Sequence, residues 1–243
     1  ETAASQEGVI DFSAIKDNED LEVADYLPSD INDMEKICTE DYSVNLVDMA
    51  DNTEDNKTVN DNPNDAKAIS LGTQVYDTVA TELEQRWYAF SVAKATKFTA
   101  AMVMDDTADF DLYVYKLNET DGTLELVGGS AIVGAGTQEL SMLKLDEGIY
   151  FIGIEAATGN GSFLMYTYAG VNDGKEINDT TDLASSYVRN SRMTATIDSP
   201  FDYDYYKVVI SKNDILEYTF DQPTGCDYKV LVYDGKNYYT INN

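Results

Sequence analysis

The 243-residue chain contains no histidine. That excludes Ser-His-Asp and Cys-His nucleophilic catalysis and every zinc site that needs an imidazole. Cysteine is nearly absent, with only Cys38 and Cys226. Two cysteines cannot hold zinc by themselves, and these lie too far apart for a CxxC redox motif. They form one disulfide or remain two buried thiols. Positive charge is also scarce, at 16 Lys and Arg against 45 Asp and Glu, a formal charge of −29. Such a chain repels phosphate backbones and anionic membrane surfaces, so nucleic acid is a poor partner. Cations and neutral or basic polymers suit it better. No apolar run approaches the length of a membrane span, and no membrane insertion is expected.

What is present is a core-forming, β-rich composition: 43% hydrophobic residues, 18 of the 243 being tyrosine. Abundant Asn, Asp, Thr and Tyr, together with an opening "ETAASQEG" that lacks an initiator Met, suit a processed, exported bacterial protein. Residues 1–59 are acidic and weakly patterned; "GVIDFSAI" and "DYSVNLVDMA" alternate enough for strands, and Ser29 caps a short predicted helix in "SDINDMEKI". "DNTEDNKTVNDN" reads as a solvated linker. From Gly72 onward, eight candidate strands follow at short spacing: "TQVYDTVA", "RWYAFSV", "KFTAAMVM", "FDLYVYKL", "TLELVGG", "QELSMLKL", "GIYFIGIE" and "SFLMYTYA". Tyr88, Phe90 and Val92 share one face, as do Phe110, Leu112 and Val114, and Tyr150, Ile152 and Ile154. Two sheets with buried inner faces, a sandwich, are the expected result.

After "YAGVNDG" the same order begins again. "KEINDTTDLASS" parallels "NDNPNDAKAISL", "FDYDYYKVVI" parallels "LEQRWYAFSV", and "CDYKVLVYDG" parallels "DFDLYVYKLN". The second copy ends about three strands short. The fold class is therefore all-β: tandem jelly-roll-like β-sandwiches, the second shortened or completed by the N-terminal segment. The expected division is an acidic segment and linker at 1–59, one module at 60–171 and an incomplete module at 172–243. "DYSVNLVDMA" is the candidate filler, and a Cys38–Cys226 bond would pin it.

The order of these motifs, an Asn/Asp-rich lead-in, a D-x-D step, "ADFDLYVY", "GIYFIGI" and "GNGSFLMY", resembles the bacterial pre-peptidase C-terminal domain. It is similar to the collagen-binding domains of clostridial collagenases. The resemblance covers roughly 60–170 and, as a shortened copy, 175–243. It implies a jelly-roll-like sandwich without catalysis of its own, and calcium held between the lead-in and the D-x-D step. Carried over by residue, it implies ligands at Glu176, Asn178, Asp179, Asp202 and Asp204. The first copy keeps Asn64 and Asp65, has Asn60 and Asn62 where leading acids belong, and replaces the D-x-D step by Glu84-Gln85-Arg86. A weaker site of Asn62, Asn64 and Asp65 follows, with Arg86 taking the ion's place by pairing with Asp65 or Glu84. Calcium suits these residue types, because it takes six to eight oxygens.

Other clusters carry less. "DDTADFD" at 105–111 lacks the glycine and terminal Glu of an EF-hand, and the family pattern gives Asp109 and Asp111 a structural role. Tyr113 and Tyr115 share a strand face and are the candidate ligand-binding residues, since a rigid ring supplies contact area at low entropy cost. The functional expectation is a secreted or cell-surface adhesion module, calcium-stabilised in its second repeat, that binds an extracellular protein or polysaccharide. Alternatives are an accessory or pro-region of a secreted peptidase and, behind it, a carbohydrate-active enzyme using a carboxylate pair.

Overall fold

The computed structural model describes residues 4–11, 22–23, 42–46, 59–170, 174–211 and 215–240. They belong to two compact units: Ser29–Tyr206, and Glu1–Pro28 with Lys207–Asn243. In chain order the strands are β1 (Ala4–Asp11), β2 (Glu22–Val23), β3 (Lys67–Ala68), β4 (Gln74–Val79), β5 (Gln85–Val92) and β6 (Thr96–Met104). There follow β7 (Asp109–Leu117), β8 (Leu124–Ser130), β9 (Glu139–Leu145), β10 (Gly148–Thr158) and β11 (Gly161–Gly170). The last are β12 (Ser185–Ser186), β13 (Tyr206–Lys207), β14 (Ile215–Gln222), β15 (Leu231–Tyr233) and β16 (Tyr238–Thr240). The protein is all-β, as its alternating pattern requires, and each of the eight strands read from 73–169 is present.

In the larger unit, a five-stranded sheet ordered β3-β5-β10-β7-β8 packs on a four-stranded sheet ordered β4-β11-β6-β9. The alternating triplets meet between them: Tyr88, Phe90 and Val92, then Phe110, Leu112 and Val114, then Tyr150, Ile152 and Ile154, against Phe98, Met102, Phe163 and Met165. Phe90 stacks on Phe98 at 4.9 Å, and Phe163 meets Phe110 edge-on at 6.1 Å. Hydrophobic burial drives this assembly, and such aromatic pairs add specificity of geometry.

The outer face of the five-stranded sheet is covered. Tyr42–Leu46 runs across it, with the Val44 amide donating to the Gly122 carbonyl at 2.8 Å and the Leu124 amide to the Tyr42 carbonyl at 2.9 Å. Gly122 has φ +80°, and a Cβ there would lie 2.2 Å from the Val44 carbonyl oxygen, so only glycine allows this close approach. Beneath lie Trp87, Phe151, Tyr113 and Tyr115. Tyr113 and Tyr115 are 5% and 3% exposed, which corrects their expected role as a ligand-binding ladder. Tyr42 stacks edge-on to Trp87 and Tyr115 at 4.7 and 5.6 Å, so the phenol rings serve packing. The strap comes from the segment expected to fill the second copy; it belongs to the first sandwich instead.

In the smaller unit the N-terminal segment does pair with the second copy, through other residues. β1 lies antiparallel to β14 from Ala4↔Gln222 to Asp11↔Ile215. β2 pairs with β16, which pairs with β15. The expected helix at 29–37 and Cys38 lie outside the described residues. Cys226 is a half-buried free thiol.

Candidate functional site

Equivalent hydrogen bonds recur in the two copies. The Asn60 carbonyl accepts from the Trp87 amide at 2.7 Å, and its carboxamide donates to the Trp87 carbonyl at 2.9 Å. Asn178 makes the same two bonds with Tyr205, at 2.8 and 3.4 Å. Glu84 accepts from the Ala80 amide at 2.7 Å, as Asp202 does from the Asp198 amide at 2.7 Å. Each matching pair, Asn60 and Asn178, Trp87 and Tyr205, Glu84 and Asp202, Ala80 and Asp198, is 118 positions apart.

This register corrects the reading of the lead-in: Asn178-Asp179 answer to Asn60-Asp61 rather than to Asn64-Asp65. Asn62, Asn64 and Asp65 have other work. Asn62 caps a single 3-10 turn at Pro63–Asp65, accepting from the Asn64 amide at 3.0 Å and donating to Asp65 at 2.6 Å. Asn64 Oδ1 accepts from the Asn45 amide at 2.7 Å and so anchors the strap. The equivalent of Asp204 is Arg86, whose guanidinium pairs with Glu84 at 2.8 Å and with Asp77 at 3.8 Å. Burial opposes ionisation of Glu84 and Asp77, but hydrogen bonds outweigh it and hold both carboxyls below their usual range, Arg86 on Glu84, Tyr88 and Lys67 on Asp77. The first copy closes its own charge.

The second copy does not. Lys97, on the outer face of β6, sends its ammonium into the acids of residues 176–204. Its Nζ lies 2.6 Å from Asp202, 2.7 Å from Asp179, 3.3 Å from Glu176 and 3.9 Å from Asp198. The Lys97, Asp179 and Asp202 side chains are 0% exposed. Burial disfavours the ammonium, yet the bonds to Asp179 and Asp202 prevail and raise its pKa, so Lys97 stays charged. Gly170 lies opposite Lys97 across β11 and β6, and a Cβ there would sit 1.7 Å from Asp198 Oδ2. The glycine makes room for that carboxylate.

One ammonium cannot neutralise four close carboxylates with Asp204 beside them. Burial pushes Glu176 up to about 7, against the pull of Lys97. Burial likewise raises Asp179 to about 6, with the facing Asp202 adding to the rise, and Asp198 to about 6. Asp179 Oδ2 and both oxygens of Asp198 are buried with no hydrogen-bond partner. Glu176, Asp202 and Asp204 each bring a carboxylate oxygen within 4.8 Å of the others. The Asn178 carboxamide lies 3.0 Å from Glu176 Oε2 and 3.2 Å from Asp204 Oδ1. With its nitrogen toward them it donates to both; with its nitrogen on Tyr205, as Asn60 has on Trp87, three oxygens converge on one point. The expected ligands Glu176, Asn178, Asp179, Asp202 and Asp204 are thus brought together. Lys97, Asp198 and Gly170 were not foreseen, because no local pattern links β6 or β11 to the second lead-in.

The same outer face carries an apolar row. Tyr76, Leu164 and Val103 are cross-strand neighbours on β4, β11 and β6, and Tyr166 lies one row further along. Tyr76 is 72% exposed. At the far end Tyr168 meets Phe201 edge-on at 6.2 Å.

No family model matches the chain, and no curated protein matches it. Among solved structures it is similar to the pre-peptidase C-terminal domain of a Bacillus anthracis collagenase, at 16% identity and TM-score 0.36, over 42% of this chain and 93% of that one. It is also similar to the Aeromonas hydrophila periplasmic inhibitor of g-type lysozyme, at 13% identity and TM-score 0.31, over 43% and 95%. A third is a β-1,3-glucan binding CBM6 from Bacillus halodurans, at 8% identity and TM-score 0.29, over 44% and 99%.

Proposed function

We propose that the chain is a secreted or cell-surface binding module without catalysis of its own, stiffened by calcium in its second copy. The observation that carries this reading is the unclosed charge around Asn178. Glu176, Asp202 and Asp204 bring carboxylate oxygens within 4.8 Å of one another, and the Asn178 carboxamide lies against Glu176 and Asp204. Oxygens gathered this way need a cation between them, and oxygen-only ligation with two or more carboxylates suits calcium. Lys97 then serves as a built-in counter-ion for Asp179 and Asp202, while Glu176, Asn178 and Asp204 hold the metal. Affinities for calcium in extracellular modules lie near 10⁻⁴–10⁻³ M. Asp202 is locked onto Lys97 in the interior, an arrangement suited to fastening segment 174–206 rather than to attacking a substrate.

Adding calcium to chelated protein raises Tm by about 5–10 °C, the effect of about 2–3 kcal/mol at saturating ion. E176Q/D204N cuts the shift by at least half. A wild-type melt that calcium leaves unmoved defeats the metal reading.

The binding face is the row of Tyr76, Leu164, Val103 and Tyr166. With a net charge of −29, its partner is a neutral or basic extracellular polymer, protein or polysaccharide. Pull-down on collagen and on insoluble polysaccharides tests this. Y76A/L164A weakens capture at least tenfold without lowering Tm, because Tyr76 is largely exposed. Unchanged capture by the double variant moves the binding face elsewhere.

A further inference from the structure

We propose a second cation site, in the first sandwich, formed by Asp109, Asp111 and Glu139 and taking calcium. It stands independently of the Lys97 cluster. Asp109 and Asp111 occupy alternate positions at the start of β7, and Glu139 opens β9 in the opposite sheet. One carboxylate oxygen from each lies within 4.8 Å of the others. Oxygens on opposite sides of an ion bound at 2.3–2.6 Å are spaced by about this distance.

The hydrogen bonds around the three acids leave one Asp109 oxygen unserved. Asp109 Oδ2 accepts from the Gly134 amide at 3.1 Å, and Asp111 Oδ2 from the Tyr113 hydroxyl at 2.8 Å. The Ile132 amide donates to both Glu139 oxygens, at 3.1 and 3.2 Å. Asp109 Oδ1 is left over: it is buried and has no partner, in a residue only 7% exposed. A lone carboxylate oxygen without a donor is costly in a protein interior, and an ion is the simplest remedy. Among the described residues, no ion pair brings an ammonium to Asp109 or Glu139; the ion pairs gather on Asp77, Glu84 and the Lys97 cluster. Burial pushes Glu139 up to about 7, with Asp111 and Asp109 adding to the rise, which marks the same deficit of positive charge. The ligands are all oxygen, so the ion is hard. Calcium tolerates such an irregular set, whereas magnesium demands a near-ideal octahedron and keeps its waters.

The ion would have a mechanical task. Asp109 and Glu139 hold the amides of Gly134 and Ile132, so the loop between β8 and β9 hangs from the site. Calcium bound there fastens that loop.

The test counts ions on the full-length chain. In the E176Q/D204N background, equilibrium dialysis against calcium should find one ion per chain, and adding D109N should weaken its binding at least tenfold. Where that background does not fold, native mass spectrometry of the wild type should find two ions, and the D111N variant, at a half-buried position, one. Calcium should also slow proteolysis within 131–137, and E139Q should remove that protection. An E176Q/D204N chain that folds and binds no calcium overturns the proposal while leaving the first site untouched. A count unchanged by D109N and D111N overturns it equally.

Discussion

Lys97→Met destabilises the larger unit by about 3–5 kcal/mol at pH 8 in chelator, the cost of removing one partner from a buried ionic network. Tm falls by on the order of 10 °C. The size follows from what remains: Glu176, Asp179, Asp198 and Asp202 stay within a few ångströms of one another with no counter-charge, and three of them are already pushed toward protonation beside Lys97. Urea unfolding followed by emission of Trp87, the chain's one tryptophan, measures the effect. The loss shrinks at pH 5, where protons replace the ammonium, and it shrinks when calcium is restored. Lys97→Arg keeps the charge and loses less. A K97M chain as stable as wild type at pH 8 in chelator would mean that the ammonium does not hold this cluster together.

Chelated wild-type protein loses stability as pH rises from about 5 to about 8. Glu176 at about 7, with Asp179 and Asp198 at about 6, lie above the ordinary carboxylate values near 4. The folded chain therefore holds protons that the unfolded chain has already released. Folding gains from these groups in full below about pH 4, and the gain disappears as pH climbs through 6 to 7. At about 1.4 kcal/mol per unit, the loss is on the order of 3 kcal/mol or more, without simple additivity because the groups interact. Glu139, at about 7, contributes with the same sign, so E139Q separates the two sites. Saturating calcium flattens the slope by replacing protons with metal. Stability that rises with pH over this interval in chelator would contradict the unclosed charge on which the metal reading rests.

The three alternating triplets on β5, β7 and β10 were legible because strand periodicity is local, and each triplet went to the core it announced. The local repeat of the lead-in and of the step after it was legible too, but its register in the lead-in was displaced by four positions. Asn-rich stretches align with themselves in several ways, and only the bonds to Trp87 and Tyr205 select one. Tyr113 and Tyr115 misled because a strand face that alternates with the core looks free until another segment covers it. Here Tyr42–Leu46 does, from far earlier in the chain.

By itself, the sequence narrowed the class of chemistry: without histidine and with 45 acids, this chain suits cations and repels phosphates. It also determined the strands, because period-two burial is written residue by residue. Tertiary structure alone decided where the charge stays open. Lys97 meets Asp179 across 82 positions and Asp202 across 105, and Glu139 reaches Asp109 from the other sheet. Electrostatic balance depends on distance in space and on burial, and neither is encoded in any short stretch of sequence.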